Sequence, residues 1–527
     1  MIETEIPTPT QARTKQSAMM AKRSGLVFIG AALGRVFHFL TQLVLANFLG
    51  VAAFGAYTLG FSVLNFLSAM SQAGLHQATV RFIAIGRAKE QPEMVRGALR
   101  FSAIRVVIVS ALLGAALVLF REPIAIKIFR DAAIASTLFW VGVVLPFLCG
   151  LTWLGFALRG FRAVTAESVM REIANPGIFL LLCLLAVGLK IMSPTMAWLA
   201  LLISVIFALC YGLTRLQRCL KPYLANPPLR GAGGCHLETS IRGEEHPPQG
   251  GNGELGKEMR RFSLPIWFSR LFTTMMSQGD RLLIGAFSTV AQVGLYHAAY
   301  RLAAFQSLAM NSFVPMFSTA IAEAHAREDR DTIIYYYRLV VRWALLVTMP
   351  ICLICLVFGR KLLHLFGAEF ETALPVLLIV TLASFIDAGV GPAGQFLQMI
   401  GRERAASALV IFTALLTVGL NVWLIPKHGA VGAALGTGIG LALLNVGRLL
   451  ALRKFLGVFP YSRLSLRLLI TSACAGTCAW LSAPLGIAAQ GMILLVPYVI
   501  GMRLFCLHED DREMFERVGK RLRARRE

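Results

Sequence analysis

Residues 271–287 read LFTTMMSQGDRLLIGAF and are preceded by Arg270. At about 100° per residue, Arg270, Thr274, Ser277 and Arg281 fall within about 40° of one line, with the two arginines about 16 Å apart along the axis. A helix face that is polar at all four positions is costly to turn toward lipid, and a guanidinium there offers a donor fork matched to phosphate oxygens. Arg35, His38 and Gln42 form a second stripe of this kind, and His297 with Arg301 a third. Further stripes run through Asn65, Ser68 and Gln72, and through Asp387, Gly391, Gln395 and Gln398. Arg35, His38, Gln42, Arg270, Arg281 and Arg301 are therefore the candidate substrate-binding residues, lining a polar cavity suited to an anionic solute such as phosphate or pyrophosphate. Asp280 and Asp387, with His38, are the titratable groups that would carry a coupling proton; ordinary salt bridges to nearby arginines are the competing role.

The segments that must hold these residues are membrane spans. Of the 527 residues, 57% are hydrophobic and 15% charged, with a mean hydropathy of +0.68, whereas soluble domains run near 45–50% apolar and about 25% charged. The net charge of +23 falls mostly between the hydrophobic runs rather than on a soluble basic module, which argues against nucleic-acid binding. Apolar windows of about 20 residues, the length that crosses a ~30 Å hydrocarbon core, recur near 24–48, 54–75, 98–120, 134–157, 174–189, 195–214, 263–285, 291–318, 339–358, 373–397, 405–424, 429–451, 464–483 and 486–506. The expectation is an all-α polytopic membrane protein with about 14 spans. With a cytoplasmic N-terminus, the cytoplasmic connections hold about 34 of the 51 Lys and Arg and the outer ones about 7, as the positive-inside rule requires. The first span follows a polar tail with Arg13, Lys15, Lys22 and Arg23 and lacks a small-residue cleavage site, so it reads as an uncleaved anchor.

Two polar segments stand outside the bundle. Residues 222–257 are rich in Pro, Gly and charge and read as a flexible linker. The end, REMFERVGKRLRARRE, suits either a basic amphipathic helix on an anionic leaflet or a solvated tail. Cys352 and Cys355, like Cys474 and Cys478, lie in apolar runs with no His or carboxylate at ligand spacing, so they read as packing residues and no metal is expected.

An internal repeat organises the chain. Residues 51–57, VAAFGAY, align without gaps with 290–296, VAQVGLY, pairing Val51 with Val290, Ala52 with Ala291, Gly55 with Gly294 and Tyr57 with Tyr296 at an offset of 239. The offset maps Arg35, His38 and Gln42 onto Thr274, Ser277 and Arg281, so periodicity and repeat select the same face. Six helices per half is an even number, which predicts parallel repeats related by an axis along the membrane normal. The resulting division is a cytoplasmic tail (1–23), an N-terminal six-helix lobe (24–214), a cytoplasmic linker (215–262), a C-terminal six-helix lobe (263–452), two additional spans (463–506) and a basic cytoplasmic tail (507–527). Arg270 and Arg281 lie within about two turns of a span end, so snorkelling to headgroups competes with the cavity for them. Arg35 and Arg301 sit deeper and on polar stripes, which favours the cavity; Arg105 and Arg342 have no polar stripe, which favours snorkelling.

The runs LANFLGVAAFGAYTLGFSVLNFLSAMSQAGLHQATVRFIA (45–84), GDRLLIGAFSTVAQVGLYHAAYRLA (279–303) and NVWLIPKHGAVGAALGTGIG (421–440) resemble the Wzx-type polysaccharide flippases. That branch belongs to the multidrug/oligosaccharidyl-lipid/polysaccharide transporter superfamily, and the likeness covers roughly residues 20–460. The resemblance implies a two-lobed, V-shaped bundle in a bacterial inner membrane, both termini cytoplasmic. It also implies export of undecaprenyl-pyrophosphate-linked oligosaccharide for lipopolysaccharide or exopolysaccharide, without cofactor or catalysis. The implied partners are that lipid, the surrounding membrane lipids, and polysaccharide polymerase and chain-length proteins. Lipid II flippases carry an Arg-Asp pair where Ala46 and Asn47 stand here, which lowers that alternative. A multidrug extruder suits acidic cavities rather than arginine stripes. An enzyme would need a sizeable outer loop, and the longest outer connections, 121–133 and 359–372, hold only Glu122, Asp131, Glu369 and Glu371 as acids. The absence of a phosphate loop excludes ATP as direct driver. Gly432, Gly436 and Gly440, at small-xxx-small spacing, read as helix packing.

Overall fold

The computed structural model describes residues 9–225, 252–307, 321, 327, 329–457, 463–482 and 486–502. The basic tail 507–527, the middle of the 215–262 linker and the end of the 291–318 run lie outside the described residues. The described residues form helices and short turns, with no strand among them.

Helix α1 (Pro9–Gln72) carries the first two expected spans in one run, kinked at Gly50, whose φ of 75° and ψ of 171° belong to a region that a Cβ forbids. Then come α2 (Leu75–Ala88), α3 (Pro92–Leu119), α4 (Arg121–Lys127), α5 (Ile134–Gly160), α6 (Val164–Ser168), a π-helical turn over Val169–Ala174, α7 (Asn175–Gly188) and α8 (Pro194–Ala225). After the linker follow α9 (Asn252–Phe287), α10 (Val290–Ala303), α11 (Arg330–His364), α12 (Leu374–Val390), α13 (Ala393–Met399), α14 (Glu403–Leu456), α15 (Arg463–Leu481) and α16 (Ile487–Gly501). Helical structure thus reaches into both ends of the expected linker, at 215–225 and 252–262.

Eight of the described helical runs are long and apolar enough to cross a membrane. Two of them, Ala32–Gln72 and Glu403–Phe455, have 41 and 53 residues and are kinked at Gly50 and Gly429. At about 1.5 Å per residue each is twice the length of one crossing, so each supplies two spans. The expected single helix over 373–397 is instead broken between α12 and α13. Gly391 takes a φ of 73°, and Pro392 cannot donate to a continuing ladder. The stripe through Asp387, Gly391, Gln395 and Gln398 is therefore interrupted at its second member.

The chain folds as two compact units, Met1–Ala286 and Phe287–Glu527. In the first, α5 lies at the centre against α1, α2, α3 and α8; in the second, α12 lies against α10, α11 and α14. The starts of α5 and α12 agree with the repeat offset to within one residue. Two backbone breaks obey it too: Gly50 corresponds to Thr289 (φ −108°, ψ 155°), and Lys190 (φ 58°) to Gly429 (φ 55°). Helices α15 and α16 pack on α11, where Leu468, Ala475, Ala479, Leu494 and Tyr498 join one apolar core and Tyr498 Oη donates to the Leu346 carbonyl at 2.7 Å. Cys352 and Cys355 are buried in α11, whereas Cys474 and Cys478 lie on the exposed face of α15, so only the first pair packs as expected.

Small residues set the closest crossings. The second half of α14 folds back on the first, with Gly436 against Asn421 and Gly440 against Thr417 and no room for a Cβ at either, in agreement with the helix-packing role read from their spacing. Where α3 crosses α5, a Cβ on Gly114 would stand 2.5 Å from the Gly142 carbonyl oxygen, and one on Gly142 would stand 2.6 Å from that of Gly114. Gly142→Leu is therefore expected to destabilise by about 1–3 kcal/mol, seen as a lowered thermal midpoint in detergent. Gly419→Leu, where nothing lies within 4 Å, leaves the midpoint unchanged or slightly raised.

Candidate functional site

The α1 stripe runs from the accessible to the enclosed. Arg35 is exposed, His38 is half-buried with its ring 6.3 Å from that of Phe61, and Gln42 is 2% exposed. Gln42 Oε1 accepts no hydrogen bond among the described residues. On α9, Arg270 is exposed while Thr274, Asp280 and Arg281 are buried. Arg281 Nη1 donates to the Ser277 carbonyl and to Gln278 Oε1, both at 3.0 Å, so this guanidinium is turned back on its own helix. The two arginines that periodicity puts on one face thus stand in different surroundings. In the second unit, His297 is buried on α10 and Arg301 is half-buried one turn later.

In the Asn65, Ser68 and Gln72 stripe, Asn65 is half-buried and Ser68 and Gln72 are buried. Gln72 Nε2 donates to Ser68 Oγ at 2.8 Å, Cys149 of α5 lies 3.5 Å from that oxygen, and Ser71 Oγ lies 3.0 Å from Cys149 Sγ. Asn65 Nδ2 and Gln72 Nε2 thus bond within α1, Asn65 to the Phe61 carbonyl at 2.9 Å, and Ser68 alone of the three meets α5, which periodicity along one helix cannot foresee. Arg105 places its guanidinium 4.3 Å from the Phe101 ring centroid.

Asp387 accepts from Asn445 Nδ2 at 2.9 Å and lies 3.6 Å from Arg448 Nη1, which is 3.4 Å from Asn445 Oδ1. It is thus a counter-ion within the second unit, the salt-bridge role set beside ion coupling above. Neither Arg448 nor Asn445 stands on a stripe that the sequence singles out, although Arg448 is the one basic residue in the 429–451 run. A second ionic cluster is hidden in the sequence as well, because 158–173 reads as a connection between spans. Glu167, with a side chain 5% exposed, accepts from Arg159 Nη2 at 2.7 Å and from Arg171 Nη1 at 3.3 Å. Close by, His76 is buried with its ring 4.5 Å from that of Phe156. Burial first, then the charges of Arg270 and Arg171, push its imidazole down to about 4, so it is neutral at pH 7.

Backbone groups freed at the breaks find side-chain partners. Tyr337 Oη donates to the Val390 carbonyl at 2.8 Å, where α12 ends, and Gln292 Oε1 accepts from the Ala430 amide at 3.0 Å, just past Gly429. No group of three His, Cys, Asp or Glu among the described residues could hold a metal ion.

A family described as polysaccharide biosynthesis protein matches residues 20–321, and one described as MatE matches residues 265–423. A probable low-salt glycan biosynthesis flippase, Agl15, of Haloferax volcanii is 26% identical over 187 residues, which cover 35% of this chain and 40% of that relative. Among solved structures, the lipid II flippase MurJ in an inward closed conformation superposes with a TM-score of 0.68 at 14% identity, covering 91% of this chain and 98% of that one. An inward-facing multidrug resistance MATE transporter of the MOP superfamily superposes with a TM-score of 0.63 at 15% identity, covering 82% and 98%. At those identities the likeness concerns the fold.

Glu167 has two guanidinium partners, so either single removal, Arg159→Ala or Arg171→Ala, leaves the buried carboxylate paired. The expected outcome is a modest loss for each single variant and a loss in the double variant exceeding their sum by about 1–3 kcal/mol, read from thermal midpoints across the four-member cycle.

Proposed function

The chain belongs to the polysaccharide biosynthesis protein family within the MOP superfamily, whose members are transporters rather than enzymes, and from that premise we propose that it flips undecaprenyl-pyrophosphate-linked oligosaccharide across a bacterial inner membrane. The observation that carries this reading is the pair Arg35 and Arg270: Arg35 is exposed on the Ala32–Gln72 span and Arg270 on α9, over the run 263–285 that the sequence reads as a span, and neither forms an ion pair among the described residues. Asp387 and Glu167 already serve arginines of their own. A guanidinium in an apolar span without a carboxylate calls for an anion from outside, and the pyrophosphate of a lipid-linked sugar supplies one.

In this proposal the substrate-contacting residues are Arg35, His38, Gln42, Arg270, Arg281 and Arg301. The lipid tail stays in the bilayer while the headgroup moves by alternating access from the cytoplasmic to the periplasmic leaflet, and both termini are cytoplasmic. The repeated lobes are 24–214 and 263–452, parallel in the membrane; 215–262 links them, 463–506 adds two spans, and the tails 1–23 and 507–527 face the cytoplasm. The shared offset of the breaks at Gly50 and Thr289 and at Lys190 and Gly429 supports the repeat. The ion pair with Arg448 favours a structural role for Asp387 and leaves Asp280 as the residue to test for proton coupling. The match over residues 265–423 favours a second reading, an ion-coupled multidrug extruder.

The deciding measurement is flipping of a fluorescent undecaprenyl-pyrophosphate oligosaccharide in proteoliposomes at matched reconstitution. Arg270→Ala and Arg301→Ala are each expected to lower the rate about tenfold or more, the value of a charge-assisted hydrogen bond. Full activity in both would remove the arginines from the substrate's path. Uptake of a cationic drug with no lipid movement would establish the extruder instead.

A further inference from the structure

The first unit holds a cluster of basic and hydrogen-bonding side chains that the stripes do not include. Phe156 of α5 is flanked by His76, at 4.5 Å between rings, and by Arg159, whose guanidinium lies 5.0 Å from the ring centroid. One residue earlier, Gly155 leaves the space that Arg171 and Glu167 fill: a Cβ there would stand 2.9 Å from Arg171 Cδ and 3.4 Å from Glu167 Cγ. Helix α9 crosses the start of α2 so closely that Gly74 abuts the Ser263 carbonyl and the Trp267 amide, which brings Arg270 toward His76. On the far side, Gly34 abuts the Glu172 carbonyl, so α1 crosses the π-helical turn one residue from Arg35.

Two features of the cluster call for an external anion. The first is charge: Arg159 and Arg171 share one carboxylate, Glu167, and His76, held neutral first by burial and then by the charges of Arg270 and Arg171, has no acidic group among the causes of its shift. The second is a set of unanswered groups. His76 Nδ1, Ser168 Oγ and Trp267 Nε1 are buried and have no hydrogen-bond partner among the described residues, and His76 itself is only 3% exposed. Buried polar groups are nearly always paired, and the His76 imidazole can present a hydrogen to an oxyanion in its Nδ1–H tautomer; Ser168 Oγ lies instead toward α1, 3.2 Å from where a Cβ on Gly30 would stand. The π-helical turn beginning at Val169 widens the helix where Arg171 leaves it.

The geometry points to a pyrophosphate-recognition site formed by His76, Arg171 and Arg270, with Glu167 and Arg159 as positioning residues that hold the Arg171 guanidinium. The ligand's identity as the headgroup of a lipid-linked sugar rests on the flippase proposal above; the oxyanion chemistry rests on the cluster alone. Arg171 supplies the fork, Arg270 the second charge, and neutral His76 a directional donor that Lys or Arg would not replace.

The test uses the full-length chain in detergent, inorganic pyrophosphate as probe, isothermal titration calorimetry, and NMR of ring-labelled histidine with His76 assigned through His76→Gln. Arg171→Lys and His76→Gln are expected to weaken pyrophosphate binding about tenfold each with an unchanged thermal midpoint, since Arg159 still holds Glu167. Pyrophosphate is expected to shift the His76 resonance in the wild type, which decides the matter should either variant fail to fold. Displacement by undecaprenyl pyrophosphate but not by undecaprenol would identify the source as a lipid headgroup; displacement by neither would identify free pyrophosphate as the ligand and keep the site. No binding to the wild type, or wild-type affinity in both variants with an unmoved His76 resonance, would overturn the site. The flipping assay on the same proteins separates the two proposals: wild-type protein that binds pyrophosphate yet flips no lipid overturns the flippase reading alone, and variants that flip and bind normally overturn this site alone.

Discussion

A hydrocarbon layer offers no water, so each polar group that a span exposes or frees must find its partner inside the protein. Much of this structure follows from that constraint. Where α12 ends at Gly391 and Pro392, the Val390 carbonyl takes a proton donor from Tyr337 on α11; where α14 turns at Gly429, the Ala430 amide finds Gln292 on α10. Each break is thereby tied to a neighbouring helix. The kinks become fixed points of packing instead of points of free bending, and the helices that supply the partners are held in register by them.

The same constraint sorts the charges. Asp387 is joined to Arg448 and Asn445, and Glu167 to Arg159 and Arg171, so these acids neutralise arginines of their own units. With 51 basic and 28 acidic residues in the chain, such pairing leaves guanidinium groups over. Arg35 and Arg270 form no ion pair among the described residues, and under the function proposed above their exposure is what would connect the composition of the chain to an anionic substrate. A surplus of one sign in a low-dielectric frame acts over longer distances than on a soluble surface, because neither water nor salt screens it fully.

Within each unit the architecture is organised around one strongly apolar helix, α5 in the first and α12 in the second, at matching places in the repeat. Glycines admit the nearest approaches, and they do so on faces where a methyl group would collide with backbone, as at Gly114 and Gly142. Without a hydrophobic driving force between helices in lipid, such close packing and the interhelical hydrogen bonds supply the association. The last two helices follow the same logic on α11, where Gln490 and Tyr498 bond across to Lys361 and to the Leu346 carbonyl.

Composition and the recurrence of ~20-residue apolar windows determined, from the sequence alone, that the chain is helical and crosses a membrane repeatedly, because the thickness of the hydrocarbon core imposes a length that no tertiary contact is needed to reveal. The offset of 239 was legible as well, and the backbone breaks at Gly50 and Thr289, and at Lys190 and Gly429, fall at that offset. Which polar face looks where was decided only by tertiary structure. A stripe at helical spacing states that a face is polar, not what meets it, and Ser68 proved to be met by Cys149 while Asp387 was met by Arg448. The cluster of His76, Glu167 and Arg171 was invisible for a further reason. Its members come from the start of α2, the five-residue α6 and the π-helical turn, none of which carries a long polar period, and only the packing of α5 and α9 against them brings them together.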